Sequence, residues 1–259
     1  MEFENKSVIV TGASRGIGRG IALGFGRAKA AVLVNYLKQS AAAEEVVNSI
    51  RSMGGRACSY RADTSDPAQV EAMVQHAQEQ FGPVDVLVNN AGIPGPFAHL
   101  TGTSVEEWDR VMAVNLRGYF LCSKAVLPSM LARGKGAIVN VSSLYGLRGE
   151  PNNGAYGASK AGINLFTQTL ALEVAPKVRV NAICPGHMTT EQNWDEIRTW
   201  AAERGTSFEY ERDQLWASIP LKRPGNDEDM ANIVLFLASE ASAYITGQAI
   251  VIDGGFNLR

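Results

Sequence analysis

The 259-residue chain predicts an α/β fold, a doubly wound seven-stranded parallel sheet with helices on both faces. Three observations carry this. Short, apolar, β-branched runs alternate with longer segments of helical period, the pattern of strands buried on both faces and joined by crossover helices. A glycine-rich turn, Thr11-Gly12-Ala13-Ser14-Arg15-Gly16-Ile17-Gly18, joins the first such run to the first helix. With 46% apolar and 19% charged residues and no linker, repeat or low-complexity tract, residues 1–259 read as one domain with a continuous core.

The elements follow in order. Ser7 to Thr11 reads as a strand, Ile17 to Lys29 as a helix, Val32 to Asn35 as a strand, Ser40 to Gly54 as a helix and Ala57 to Tyr60 as a strand. Asp66-Pro67 opens a helix over Pro67 to Phe81, because proline suits a first helical position where the missing N–H has no partner. A strand at Val84 to Val88 closes the first half. The second half repeats the alternation: helix Ser104 to Ala132, strand Gly136 to Val141, helix Ala155 to Ala175, strand Val178 to Ile183, helix Asp227 to Ala238 and strand Ala249 to Ile252.

Residues 187–225 break the rhythm. Trp194, Ile197, Trp200 and Ala201 share one helical face, and Phe208, Tyr210, Leu215 and Trp216 follow. The segment leaves a strand's carboxyl end, where open α/β sheets bind ligands. It reads as a substrate lid, or as a surface helical pair packing its aromatics on the body.

Lys and Arg number 24 against 26 Asp and Glu, a formal charge of −2, and no stretch concentrates basic residues as a phosphate-backbone binder requires. Nucleic acid is therefore not expected as a partner. Cys58, Cys122 and Cys184 lie far apart without any CxxC, and His76 and His99 show no ligand spacing, so no metal site is expected. The opening Met1-Glu2-Phe3-Glu4-Asn5-Lys6 is unlike a signal peptide, and no apolar run reaches the ~18 residues of a membrane span. A soluble, cytoplasmic protein without a membrane partner is expected.

The glycine turn suits a dinucleotide. Gly12, Gly16 and Gly18 let the backbone approach a pyrophosphate and aim a helix N-terminus, with its free N–H groups, at the anion. The spacing is G-x-x-x-G-x-G, not G-x-G-x-x-G, and glycine-rich turns also close ordinary βα units. A site that reads a free ribose 2′-OH places an acid after the second strand. Here that turn is Asn35-Tyr36-Leu37-Lys38, no acid occurs between Glu4 and Glu44, and Arg15 stands in the loop itself. Cationic side chains bind a 2′-phosphate that an acid would repel, so NADP(H) is favoured while NAD(H) stays open. The alternative is that Arg15 and Lys38 are solvated surface charges.

Tyr156 alone among the tyrosines has a lysine four residues on, Lys160, on the same helical face. Thirteen residues upstream, the strand ending at Val141 delivers Ser142-Ser143 to the sheet's carboxyl edge. A phenol with a pKa of about 10 is a poor base near neutrality, and lowering it by about 3 units requires ~4 kcal/mol of phenolate stabilisation. A neighbouring ammonium and a positive nicotinamide would supply it. Tyr156 would then move a proton between an alcohol and a ketone while Ser143 hydrogen-bonds the same oxygen, and Lys160 is within the span of a nicotinamide ribose.

Thr11 to Gly18, Asn89-Asn90-Ala91-Gly92, Asn115, Ser143, Tyr156-x-x-x-Lys160 and Pro185-Gly186, in this order and spacing through the closing Ile252-Asp253-Gly254-Gly255, closely resemble the classical short-chain dehydrogenase/reductase family. The resemblance covers essentially the whole chain and implies a Rossmann fold with Asn115, Ser143, Tyr156 and Lys160 as the catalytic set. It further implies that Ser14, Arg15 and Ile17 join the glycines at the cofactor. Asn35 and Tyr36 would stand at its ribose, Asp63 and Thr64 at its adenine, and Asn90, Ala91 and Gly92 along the adenosine ribose. Pro185, Gly186, Met188 and Thr190 would border the nicotinamide. Asn115 would hold a water linking Lys160 to solvent. A homotetramer is implied, its long helices pairing across one axis and the last strand and helix across another.

Substrate residues follow from the same comparison: Pro94, Leu144, Tyr145, His187 and Trp194, a mixed and fairly apolar pocket. His187 is read as a substrate contact or as a solvent-facing loop residue. A secondary alcohol or ketone of modest size fits, which makes a carbonyl reductase or alcohol dehydrogenase the leading expectation. A 3-oxoacyl-(acyl-carrier-protein) reductase stands beside it, with Arg133, Lys135 and Lys177 either as docking charges for an acidic carrier or as ordinary loop charges. A non-catalytic dinucleotide sensor is a remote third.

Overall fold

In the computed structural model, which describes residues 3–258, seven strands form one parallel sheet. They are β1 (Ser7–Val10), β2 (Ala31–Tyr36), β3 (Arg56–Arg61), β4 (Val84–Asn89), β5 (Ala137–Val141), β6 (Arg179–Pro185) and β7 (Ala249–Ile252), in the order β3-β2-β1-β4-β5-β6-β7. The chain winds outward from β1 in one direction and from β4 in the other, so a crevice opens between their carboxyl ends, where such folds bind ligands.

Period two decides which face each strand residue meets. Val8, Val10, Val32, Val34, Val86, Val88, Val139 and Val141 join one core, against α1 (Gly16–Arg27), α2 (Ser40–Ser52) and α9 (Asp227–Ala238). Their neighbours Ile9, Leu33, Leu87, Ile138 and Val180 join the other, against α3 (Pro67–Phe81), α5 (Gly118–Arg133) and α6 (Gly154–Val174). Full burial of β1 and β5 is why these strands read as unbroken apolar runs. Within the second core Asn89 Nδ2 donates to Asn140 Oδ1 (2.9 Å), and Asn140 Nδ2 donates to Thr167 Oγ1 (2.9 Å). Buried amides paired in this way fix the relative position of β4, β5 and α6.

The helix expected over Ser104 to Ala132 is interrupted. A capping box of Ser104 and Glu107 starts α4 (Val105–Met112), a π turn follows at Ala113–Arg117, and α5 continues from Gly118. The cause is tertiary. Asn115, fully buried in the π turn, accepts a hydrogen bond from Ile93 N (2.8 Å) and donates to Ile93 O (3.0 Å) and Ser159 Oγ (3.2 Å). Such single wide turns inside helices concentrate at functional sites.

Residues 187–225 contain two helices, α7 (Glu191–Arg204) and α8 (Phe208–Ser218). Hydroxyls of Thr190 and Ser207 cap their N-termini. Ile197, Ala201 and Leu215 are buried. Trp194 packs edge-on against Phe208 and Trp216, with ring centroids 6.0 and 6.1 Å away.

Candidate functional site

The glycine turn is built for close approach. Gly12 has φ +61, and a side chain there would put Cβ 2.8 Å from Ala91 Cα. At Gly18 it would lie 2.4 Å from Asn90 Nδ2. Asn90 Nδ2 donates to Thr11 O (2.8 Å) and Gly12 O (3.1 Å), while Thr11 Oγ1 accepts from the amides of Asn90 (2.9 Å) and Ala91 (3.0 Å). The loop is thereby clamped to the end of β4. At the start of α1, Arg15 provides no side-chain cap and the first turn holds no acid. The leading amides of the helix are therefore available to an anion. A pyrophosphate fits this cradle.

Asn35 is spent on backbone. Its Oδ1 accepts from Gly12 N (3.1 Å), and its Nδ2 donates to Tyr60 O (3.3 Å) and Ala62 O (3.1 Å). Tyr36 OH pairs with Ser40 Oγ at 3.2 Å. The β2–β3 register sets Tyr36 opposite Arg61, and Arg61 Nε donates to Leu37 O (3.1 Å), so a further cation stands beside Lys38. Sequence reading missed Arg61, because only the register brings it there. Arg15 is exposed. Asp63 Oδ1 accepts from Ser65 N (2.9 Å) and Ser65 Oγ (2.7 Å), and Thr64 is buried. Thr190 Cγ2 lies 3.6 Å from where a Cβ on Gly16 would stand, so the start of α7 abuts the glycine turn. Met188 bridges to Gly225, and Gly186 N donates to Ile252 O (3.0 Å).

The strand β5 delivers the hydroxyls as expected. Ser142 N donates to Ile183 O (2.8 Å) and Ser142 Oγ to Lys160 O (2.9 Å), which ties the strand end to α6. Ser143 caps a short turn over Leu144–Gly146, its Oγ accepting from Tyr145 N at 3.2 Å. Tyr156 and Lys160 lie one turn apart on α6, with Lys160 Nζ 5.5 Å from the ring centroids of both Tyr156 and Tyr119. A Cβ on Gly92 would lie 3.3 Å from Asn115 Oδ1 and 3.7 Å from Lys160 Nζ, so Gly92 touches both. Flanking Pro94, Gly95 passes over Tyr156, whose amide would be 3.5 Å from a Cβ there.

Burial is the largest electrostatic influence on both members of the pair. Lys160, 3% exposed, donates to Val141 O, and burial without a carboxylate pulls its ammonium down to about 7. Burial also raises the Tyr156 hydroxyl, against a downward pull from Ser143 and Gln192.

Beyond Ser143 lies a cavity of about 370 Å³ whose walls include Tyr145, Arg148, His187, Trp200 and Phe256. His187 faces this cavity rather than solvent. It is 7% exposed, its Nδ1 is 3.0 Å from Asn193 Oδ1, its ring meets Phe256 at 4.8 Å, and burial lowers its pKa. Leu144 is buried, and Trp194 belongs to the α7–α8 seam. Gln192 and Glu196, beside Tyr156 and Tyr145, were not singled out from sequence. They are polar positions on a charge-rich helix, and only the docking of α7 distinguishes them. Arg133, Lys135 and Lys177 stand near the amino ends of β4, β5 and β6; Arg133 pairs with Asp85 at 2.8 Å. That is the edge opposite Ser143, so these charges do not border the cavity.

A family model described as enoyl-(acyl carrier protein) reductase matches residues 12–257. Glucose 1-dehydrogenase 2 of Bacillus subtilis is 40% identical over 99% of this chain and 96% of its own length. The 3-oxoacyl-(acyl-carrier-protein) reductase FabG of Staphylococcus epidermidis is 41% identical over 97% of this chain and 98% of its own. Among solved structures, an NAD+-bound xylitol dehydrogenase superposes with a TM-score of 0.93 at 33% identity, covering 98% of this chain and 100% of the other. A levodione reductase gives 0.92 at 32%, covering 98% of each.

Proposed function

As the chain belongs to the short-chain dehydrogenase/reductase family, we propose that it is an NADP(H)-dependent enzyme interconverting a secondary alcohol and a ketone, with Tyr156 as general acid and base. The observation that carries this reading is the gathering of Ser143, Tyr156 and buried Lys160 at the carboxyl end of β5, beside a glycine turn whose helix amides are uncapped. When bound, the dinucleotide supplies or accepts the hydride. Gly12, Ser14, Gly16, Ile17 and Gly18 hold its phosphates, and Asn90, Ala91 and Gly92 border its ribose. Asp63 and Thr64 flank its adenine, and Pro185, Gly186, Met188 and Thr190 border its nicotinamide. Asn35 and Tyr36 shape its ribose end, where Arg15, Lys38 and Arg61 offer cations to a 2′-phosphate.

Tyr156 donates a proton to the carbonyl oxygen in reduction and takes it from the alcohol in oxidation. Ser143 Oγ hydrogen-bonds that same oxygen and steadies its developing charge. Lys160 stands beneath Tyr156 and relays charge, and Asn115 fixes the backbone at Ile93 and, through Ser159, the turn of α6 that carries both. Pro94, Leu144, Tyr145, His187 and Trp194 shape the substrate pocket, Trp194 through the α7–α8 seam.

An open groove lined by Met112, Leu116, Phe120 and Phe166, with Leu165 and Leu172 exposed nearby, supports a homotetramer paired across the α4–α5–α6 face and the β7 face. The three cysteines are unpaired thiols, which suits a reducing cytoplasm. Initial rates with NADPH and NADH against cyclic ketones, ketoses, diketones and a β-keto thioester test the reading; NADPH-linked reduction of free ketones is expected. The second reading, a 3-oxoacyl-(acyl-carrier-protein) reductase, draws on the 41% identity to FabG, and a carrier-linked thioester outrunning every free ketone would establish it.

A further inference from the structure

Two residues of α7 face the reacting tyrosine, and neither has a part in the proton transfer. Gln192 and Glu196 are one turn apart, hence on one helical face. Gln192 pulls on the Tyr156 hydroxyl, and the charge of Glu196 is felt there as well. Glu196 Oε1 accepts a hydrogen bond from Tyr145 OH at 3.0 Å. Tyr145 lies two residues beyond Ser143 and lines the cavity. Glu196 thus stands between the substrate cavity and the tyrosine that moves the proton.

This carboxylate is unusual in its company. Among the described residues Tyr145 is its only hydrogen-bond partner, and no Lys, Arg or His forms an ion pair with it. An ionised carboxylate accepts about four hydrogen bonds, and burying one without a cation is costly. Burial accordingly pushes Glu196 up to about 7. The arginines in the cavity wall do not offset it: Arg204 pairs with Glu211 at 2.6 Å, and Arg148 lies over the Phe256 ring at 5.0 Å, 3.9 Å from Glu150. A half-buried carboxylate without a cation, hydrogen-bonded to a tyrosine that lines the cavity, marks a functional position.

We propose that Glu196, with Tyr145, determines substrate specificity by accepting a hydrogen bond from a hydroxyl on the carbon next to the reacting one, so that the substrates are vicinal diols of the polyol or sugar type and the matching α-hydroxyketones. The proposal rests on the alcohol–ketone reading above. A neutral hydroxyl donor fills the open acceptor positions of Glu196 without adding charge. An alkyl or acyl chain would strip water from Glu196 and return no hydrogen bond.

Matched substrates that differ by one hydroxyl test it: cis-cyclohexane-1,2-diol against cyclohexanol, and butane-2,3-diol against butan-2-ol, each with NADP+ and NAD+. The full-length enzyme should prefer the hydroxylated member of at least one pair by about tenfold or more in kcat/KM, as expected of a site built to hydrogen-bond a substrate hydroxyl. Glu196→Gln and Tyr145→Phe should each bring that ratio towards one, a change a merely structural role would not produce. An unchanged ratio in both variants, or preference for the deoxy member in the parent enzyme, overturns the Glu196 assignment and leaves the alcohol–ketone reading intact. No turnover of any of the four, together with none of the ketone panel above, overturns both.

Discussion

Lys160 Nζ donates to the carbonyl oxygen of Val141 at 2.8 Å, and Tyr119 OH donates to the same oxygen at 2.9 Å. The carbonyl therefore keeps a donor if the lysine is removed. Lys160 is drawn down to about 7 by burial, whereas in an unfolded chain lysine titrates at about 10.4. The unfolded state then binds more protons between these values, so the contribution of Lys160 to stability rises with pH from about 7 to about 10.4 and is least below 7. Lys160→Met should melt higher than the parent enzyme at pH 6, with the gap closing towards pH 10. Its turnover should fall by about 10²–10⁴-fold. Melting curves across this pH range decide it, and a gap independent of pH would refute the buried ammonium.

Tyr156→Phe removes the hydroxyl without disturbing the ring that lies against Lys160. We expect kcat to fall by about 10²–10⁴-fold while NADPH binding, followed by nucleotide fluorescence, stays within a few-fold. Ser143→Ala should cost about 10²–10³-fold through the lost hydrogen bond to the substrate oxygen. Turnover surviving intact in Tyr156→Phe would assign the proton transfer elsewhere.

The strands and the placement of Ser143, Tyr156 and Lys160 were legible because local pattern controls them. Val8 and Ile9 are fully buried on opposite faces of β1, and Ser143 lies where β5 must end. Tyr156 and Lys160 needed only helical period. The π turn at Asn115 was not legible, since its cause is the backbone of Ile93, 22 residues away. Arg61 needed the β2–β3 register. Glu196 needed the docking of α7 over Tyr145, which no spacing rule along a helix reveals. The burial that draws the Lys160 ammonium down is likewise a property of what surrounds it and has no signal along the chain.

Arg15 tests the cofactor assignment. It is exposed in the glycine turn, and it makes no side-chain cap to α1, so its loss should leave the fold unchanged. If its guanidinium reads a 2′-phosphate, Arg15→Ala should raise KM for NADPH about 10–100-fold, the worth of a hydrogen bond to a charged group. KM for NADH should stay the same. Leu37→Asp, which places an acid at the end of β2, should shift preference further towards NADH. Equal losses with both cofactors would remove Arg15 from phosphate recognition.

Asn35 joins the glycine turn to β2 and β3 through Gly12 N, Tyr60 O and Ala62 O. It is 2% exposed. Truncation leaves a backbone amide and two carbonyls short of a partner, at about 1–3 kcal/mol for each unsatisfied buried group. With partial rescue by water, Asn35→Ala should lower the unfolding free energy by about 2–4 kcal/mol in denaturant titration and weaken both dinucleotides alike. That joint loss separates a residue that shapes the loop from one that chooses between NADPH and NADH.

Phe120 is 46% exposed on α5, in a groove it shares with Met112, Leu116 and Phe166. The apolar part of this groove, edged by Asp109, Arg110 and Arg117, is removed from water when a second copy covers it, and a two-fold axis places the same groove on both partners. If two copies meet there, Phe120→Glu puts a charge into the contact twice, and burying two like charges is unfavourable. The β7 face, where Val251 is 38% exposed, remains intact. Sedimentation should therefore show the parent enzyme as four chains and Phe120→Glu as two, while Lys135→Glu at the amino edge of the sheet stays at four. A parent enzyme that sediments as one chain removes the assembly altogether, and a Phe120→Glu variant that still sediments as four moves the interface off the α4–α5–α6 face.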